Sequence, residues 1–332
     1  MTHIIKNQRG MALLMTILII SLIMVVTLRF NMTMRASLSG ASNLQDNVTL
    51  DFMARSVFNA TRAILSVDAE DNGYDTLHED WANLSAAAMY FSYFFSRGQG
   101  GLSVKDHSGR LQVNSLLKKH EDAWQADEVQ KKVWLNLLSS EEFELTEEEA
   151  ENIIEAIVDW IDEDDDVFGF GGAESSYYQS LENPYSPRNG PMEFVEELLL
   201  IKGITSELFY GTEEVAGLAD LVTPWGRDGK ININTAAPLL LMALSDQIDL
   251  DMVDGMMNYR EIAERDLSDP GWYKNAPGFP GDVTILPELI TTASSFFEIS
   301  TDVVLEDMSR KVRGMIARGP GSRTELVYWK IE

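Results

Sequence analysis

Between Met11 and Leu28 the chain reads MALLMTILIISLIMVVTL, eighteen positions without a charge or a proline, closed by Arg29. As a helix rising about 1.5 Å per residue, such a run reaches roughly 27 Å, enough to cross a hydrocarbon core. The pattern predicts a segment that enters or spans a membrane. A short polar stretch, Met1–Gly10 (MTHIIKNQRG), precedes it and carries Lys6 and Arg9. An ordinary secretory signal has a shorter apolar run with its small-residue cleavage site behind it. Here the small residue, Gly10, stands in front, so a cut there leaves the whole apolar helix on the mature chain. The basic flank fits a cytoplasmic N-terminus.

Beyond the apolar run, Arg29–Val67 has no proline and a sparse apolar stripe of Leu38, Leu44, Val48, Phe52, Val57, Ile64 and Leu65, which predicts one continued long helix ended by Asp68–Gly73 (DAEDNG). Gly101–Leu116 reads as a hairpin, with LSV and RLQVN on either side of Lys105–Gly109. Three β-rich stretches close the chain: Phe296–Leu305, Lys311–Ala317 and Glu325–Ile331. Between them the pattern is helical. In Glu147–Asp162 the residues Ile153, Ile154, Ile157, Val158 and Ile161 recur at three and four, and Glu193–Ile201, Leu239–Ala243 and Val253–Ile262 read as further helices. Two short segments echo each other, Gly109–Leu116 (GRLQVNSL) and Gly229–Leu240 (GKININTAAPLL). Strands that flank a helical block predict an α+β fold with a large insertion. The expected division is a leader at 1–10, a transmembrane helix at 11–28, helix continuation and first strands at 29–122, an inserted helical domain at 123–292, and closing strands at 293–332.

The arrangement of basic leader, Gly10 and apolar helix resembles the class III signal of type IV pilins and type II secretion pseudopilins. The resemblance implies cleavage after Gly10 by a prepilin peptidase, methylation of the new N-terminal Met11, and a long helix packed on an antiparallel sheet. One departure stands out. Most of the family carries Glu at the fifth mature position, where it is thought to neutralise a neighbouring subunit's terminal amine inside the membrane. Here that position is Met15, and the apolar run holds no carboxylate at all. A buried carboxylate is costly unless paired, so its absence implies a subunit with no such neighbour to satisfy, at the end of a filament. Within the family this is the habit of the K-type minor subunit.

The chain has 332 residues, 45% of them hydrophobic, ample for a large buried core, and no cysteine, which excludes zinc–thiolate sites and cysteine nucleophiles. Its net charge is −27, and loss of Lys6 and Arg9 with the leader makes it about −29. Such a surface repels nucleic-acid phosphates and anionic lipid heads and favours divalent cations. The charge concentrates in Glu141–Glu174, with fifteen Asp or Glu and no Lys or Arg, centred on Asp159–Asp166 (DWIDEDDD). Carboxylates packed this tightly repel one another unless a cation sits among them. Against a calcium-binding EF-hand, Asp162, Asp164 and Asp166 fit positions one, three and five, but Val167 replaces the glycine and Glu174 arrives one residue late. The loop is of calcium type without being an EF-hand. The alternative, a solvated acidic face, sits poorly with Trp160, Phe168 and Phe170 inside the run.

The ordered set Asp159-Trp160-x-Asp162-x-Asp164, Gly172-Ala173-Glu174, Tyr178, Pro184-Tyr185, Asn189 and Glu196-Glu197-Leu198, with GKININTA at Gly229–Ala236, resembles the K-type minor pseudopilin (GspK) family of type II secretion systems. That resemblance implies a SAM-like or helix-hairpin-helix-like insertion that binds calcium, one or two ions. The ligands carried over are Asp162, Asp164 and Glu174, together with Asp166 and Asn189. It also implies a single-pass inner-membrane protein with a periplasmic body. The implied partners are the I- and J-type minor pseudopilins and the inner-membrane secretion platform, and the implied role is initiating and capping the filament that drives protein export. A rival reading comes from Leu199–Ile204 (LLIKGI), which resembles a helix-hairpin-helix turn. With INTAAPLL and Arg260 it suggests a membrane-anchored DNA receptor of a competence or type IV pilus system. Glu196, Glu197 and Glu207 surround Lys202, which speaks against phosphate binding. No nucleophile, zinc-protease or P-loop motif occurs, and the expectation is a non-enzymatic protein.

Overall fold

The computed structural model describes residues 9–71, 73–83, 95, 98–120, 123–213, 215–319 and 323–331. The first eight leader residues, Lys6 among them, lie outside the described residues.

The elements follow in chain order as α1 (Arg9–Asp71), β1 (Gln99–Asp106), β2 (Leu111–Gln112), β3 (Leu117–His120), β4 (Ala123–Ala126), α2 (Glu128–Leu138), α3 (Glu147–Ile161), α4 (Ser175–Tyr178), α5 (Ser206–Tyr210), α6 (Leu218–Leu221), β5 (Val222–Thr223), β6 (Ile231–Asn232), α7 (Pro238–Ala243), α8 (Leu250–Arg260), β7 (Ile290–Thr291), β8 (Phe296–Leu305), β9 (Met308–Arg318) and β10 (Thr324–Ile331). This is the expected α+β, pilin-like architecture: a long N-terminal helix, an antiparallel sheet, and a helical block inserted between the first strand and the last three.

The membrane-facing half of α1 is bare along its whole length, and none of its most apolar window is buried. Its few polar side chains are satisfied within the helix. Thr16, Ser21 and Thr27 donate to the carbonyls of Leu13, Leu18 and Ile23. No hydroxyl is therefore left to seek water in a bilayer.

The second half of α1 packs on the sheet, whose order is β1-β8-β9-β10. Leu50, Met53, Ala54, Val57, Phe58 and Leu65 form its buried stripe, against Phe297, Ile299, Val303, Leu305, Val312 and Ile316. The spacing of three and four is helical. The stripe expected from sequence differs. Val57 and Leu65 are buried, but Leu38, Leu44, Val48 and Phe52 are exposed, because they lie on other faces of the helix or before the part that packs. Helix and sheet approach closely at Gly314, where a Cβ would lie 2.7 Å from the Phe58 ring. Phe58 in turn meets Trp329 edge-on at 4.6 Å.

The hairpin expected over Gly101–Leu116 does not form. β1 pairs along its length with β8, from Gln99 opposite Val304 to Asp106 opposite Phe297, while β2 pairs in parallel with β5. The turn at Asp106–Arg110 hands the chain from one core to another. A second core begins at Leu111 and runs to Ile290, so the expected boundary at residue 123 falls inside the β3–β4 ladder. The predicted helix at Glu193–Ile201 is a 3₁₀ segment, Val195–Leu200. The echoing segments lie side by side: Asn232 donates its backbone N–H to the Ser108 carbonyl at 2.7 Å, and Gln112 bonds to both Asp228 and Lys230.

Body and head are joined by a buried polar seam. Asp106 accepts from Ser294 at 2.5 Å and from Thr235 at 2.6 Å, and Asn232 donates to Ser294 at 2.7 Å. Arg318 of β9 pairs with Asp75 at 2.5 Å and with Asp68 at 3.0 Å. Placing a branched side chain at the helix–sheet contact should be felt directly. Gly314→Val is expected to destabilise the chain by about 1–3 kcal/mol in denaturant unfolding, with Phe58→Leu in the same chain recovering part of the loss.

Candidate metal centre

The site begins with the sequence of α3. Thr146 caps its N-terminus in a reciprocal box with Glu149, and the buried Ile153, Ile154, Ile157, Val158 and Ile161 seat it on the head core. On that inward side Asp159 is fully buried, and three residues later Asp162 takes the C-cap position. Residues at i and i+3 share a helix face, so both carboxylates project together from the C-terminal end, where the helix dipole is already negative. The loop then folds back and brings Glu174, 1% exposed, to the same point. One carboxylate oxygen from each of Asp159, Asp162 and Glu174 lies within 4.8 Å of the others.

These oxygens are short of partners. Asp159 Oδ1 accepts the Phe168 N–H at 2.9 Å. Asp159 Oδ2, Asp162 Oδ1 and both oxygens of Glu174 are buried without a hydrogen bond, as is Asn189 Oδ1. Burial, followed by repulsion from Asp164 and Glu155, raises Asp159 to about 6. Burial and then Asp164 and Asp159 raise Asp162 to about 7. Burial, with Asp159, Asp162 and Asp165 behind it, raises Glu174 to about 8. An all-oxygen, acid-rich pocket of this kind suits a hard cation and offers nothing to a thiophilic one.

Asp162 and Glu174, both expected from sequence, come together. Asp164 and Asp166 are exposed and outside the three-carboxylate cluster; Asp164 Oδ1 accepts from the Asp166 backbone and shapes the loop instead. Asn189, at φ 45°, donates its amide to the Asp164 carbonyl at 2.5 Å, which ties it to the same loop. Asp159 was not among the expected ligands. Its signal was an acid on the apolar stripe of an amphipathic helix, three residues before another acid.

A layer of aromatic and charged side chains holds the loop. Trp160, Tyr178 and Tyr185 pack together, with ring centroids 5.2–6.4 Å apart. Glu197 accepts from Trp160 Nε1 at 3.1 Å and is paired with Arg188 at 3.4 Å, and Tyr185 donates to the Leu200 carbonyl at 2.6 Å. The second acidic group, Asp68, Asp75 and Glu79, already holds a cation, since Arg318 bridges its two aspartates.

The residues that suggested a DNA receptor are spoken for. Lys202 Nζ donates to the carbonyls of Gly171 and Gly172 at 2.9 and 3.2 Å. Arg260 is buried and donates to the carbonyls of Ile233 and Ala236 at 3.1 and 2.8 Å.

A family model described as "Type II secretion system (T2SS), protein K" matches residues 109–214, the part of the head that holds the carboxylate cluster. A type II secretion system protein K of Aeromonas hydrophila is 26% identical over 97% of this chain and 96% of its own length. That of Klebsiella pneumoniae is 23% identical over 97% of this chain and 98% of its own. The chain thus matches the type II secretion system protein K family model over residues 109–214 and is similar to proteins K over nearly its whole length. It is a minor pseudopilin of that system, as the N-terminal pattern and the acidic signature led us to expect. Its fold is similar to that in the crystal structure of the GspK-GspI-GspJ complex from enterotoxigenic Escherichia coli, with a TM-score of 0.69 at 18% identity over 88% of this chain and 99% of that one. None of these comparisons favours a DNA receptor.

The three raised carboxyls of the cluster, with Asp75 at the seam raised to about 7, make the metal-free pseudopilin sensitive to pH. In the unfolded chain they ionise near pH 4, in the fold at about 6, 7 and 8. Between those limits the folded form binds more protons, so its stability falls as pH rises. In chelator, the melting temperature of the head is expected to drop by about 5 °C or more from pH 5 to pH 8. Glu174→Gln, which cannot ionise, should flatten that slope.

Proposed function

We propose that this pseudopilin stands at the tip of the pseudopilus, assembled with I- and J-type minor subunits, and that a calcium ion staples its head. The observation that carries the tip position is the apolar run Met11–Leu28 with Met15 in place of an acid. A subunit with a carboxylate there can accept the terminal amine of a neighbour; this one offers none, so the filament ends on it. The similarity of its fold to a chain of the GspK-GspI-GspJ complex supports the choice of partners. The exposed Leu38, Leu44, Val48 and Phe52 of α1 supply apolar surface for packing other subunits' helices. The bulky head then blocks addition beyond it. This mechanism is steric and needs no catalysis.

Processing belongs to the same reading. The prepilin peptidase cuts after Gly10, Met11 becomes the methylated terminus, and the helix sits in the inner membrane with its N-terminus cytoplasmic and the body periplasmic. Nothing lies within 4 Å of a Cβ built on Gly10, so packing does not demand glycine there, and recognition by the peptidase accounts for it.

For the metal, Asp159, Asp162 and Glu174 are the carboxylate ligands, and Asn189 Oδ1 with loop carbonyls or water completes the shell. Oxygens on opposite sides of a calcium ion stand about 4.6–5.2 Å apart, which the cluster's spread accommodates. Bound calcium supplies the positive charge that lets all three acids ionise at neutral pH, and its binding energy adds to folding.

Intact mass of the membrane-extracted chain should show loss of residues 1–10 and one added methyl group; a chain still beginning at Met1 would sink the processing scheme. Met15→Glu should let subunits add past the tip and alter filament number or length by electron microscopy, and unchanged filaments would remove the capping argument. Calcium should raise the melting temperature by several degrees at pH 7.5 and by less at pH 5.5, where protons compete. Asp159→Ala should abolish most of the calcium response while Asp166→Ala keeps it.

A further inference from the structure

Between the acidic loop and Glu174 the chain reads Gly169-Phe170-Gly171-Gly172. The three glycines lie flat against α3. A Cβ on Gly169 would meet the Glu155 carboxylate at 2.0 Å, one on Gly171 would meet Asn152 at 2.1 Å, and one on Gly172 would meet Asp159 at 2.3 Å. Gly169 also has φ +64°, which an L side chain rarely adopts. The strip is bonded down at both edges. Glu155 Oε2 accepts the N–H groups of Phe170 at 2.9 Å and Gly171 at 2.6 Å, and Lys202 holds the two carbonyls that follow. From this fixed strip one side chain projects. Phe170 is 104% exposed, as open as in an isolated peptide, and Val167 beside the strip is 52% exposed.

A benzyl group left wholly in water gains nothing for the fold. Carried on a fixed backbone, it lowers the entropic cost of docking, because the main chain at the anchor is already ordered. The surroundings choose the partner. Glu147, Glu148, Glu151, Glu163, Asp164, Asp165 and Asp166 are exposed on the same helix and loop. The two ammonium groups at hand are engaged: Lys131 lies over the Phe168 ring at 5.2 Å, and Lys202 grips the strip. An anionic lipid surface is repelled by such a rim. A protein pocket with an apolar floor and a basic rim is attracted.

We propose that Phe170 is a preorganised anchor that inserts into an apolar pocket rimmed by lysine or arginine on a partner protein. The hydrogen bonds that hold the strip come from Glu155 and Lys202, neither of them a proposed calcium ligand, and the strip meets the metal site only where Phe168 and Gly172 rest on Asp159, so the anchor is tested separately from the metal reading. The test places p-benzoylphenylalanine at position 170 of the full-length chain in native membranes, with Leu250, an exposed apolar residue on another part of the head, as control position. Irradiation should give a protein adduct from 170 at least about fivefold above that from 250, and its mapped peptide should carry apolar residues with two or more Lys or Arg. The yield should fall severalfold in 0.5 M NaCl and with Asp166→Lys. With the purified adduct partner, Phe170→Ser should weaken binding at least about tenfold with the melting temperature unchanged, and Phe170→Leu should restore part of it. An adduct to phospholipid alone, equal yields at both positions, a mapped peptide without basic residues, or a yield indifferent to salt would each overturn the proposal.

Discussion

Everything distal to the membrane takes its orientation from a few buried polar side chains where body and head meet. Asp106 ends β1, and its carboxylate gathers hydroxyls from Thr235 of the head and Ser294 of the returning chain. Asp75, which follows α1, receives Arg318 from β9 and the Ser294 N–H, and burial still raises it to about 7. Removing one member leaves the others buried and unpaired, which costs more than the bonds themselves are worth. The seam fixes the head on the end of the helix–sheet body, and both the proposed blocking of further subunits and the placement of Phe170 depend on that fixed relation.

The two cores rest on different physics. The body is an apolar sandwich of helix and sheet, complete in itself, with a helix stripe meeting alternating strand residues. The head also has a large apolar core, but its family-matched region closes around buried carboxylate oxygens left without a hydrogen bond. The residues that carried the resemblance in the sequence, Trp160, Tyr178, Tyr185 and Glu197, brace the loop from outside. A protein without cysteine cannot fasten such a loop by disulfide, and a divalent ion is the alternative its composition allows.

Local pattern carried much of this into the sequence. The apolar run at Met11–Leu28 is uninterrupted, the isoleucines of α3 keep helical spacing, and the strand Phe296–Leu305 stands at its expected limits. What failed was non-local. β1 seeks a partner far down the chain, so its neighbour in sequence looked like its mate. The packed face of α1 runs through Leu50, Met53, Ala54, Val57, Phe58 and Leu65, and its spacing was masked by equally apolar residues on the other faces, Leu44, Val48 and Phe52. In the carboxylate cluster, Asp162 and Glu174 were legible as loop acids. Asp159 was hidden because an acid at an inward helix position has meaning only once its burial is known, while Asp164 and Asp166 kept the right spacing on a backbone that turned them outward.

The points where the chain leaves and re-enters the sheet are themselves a register pair, Asp106 opposite Phe297. Strands that face each other there could be joined by a tight turn, and the four-stranded sheet would keep its order. The whole head is thus a graft at one hairpin tip, so a lineage could gain it, enlarge it or lose it in a single event while the stem went on packing with its siblings unchanged.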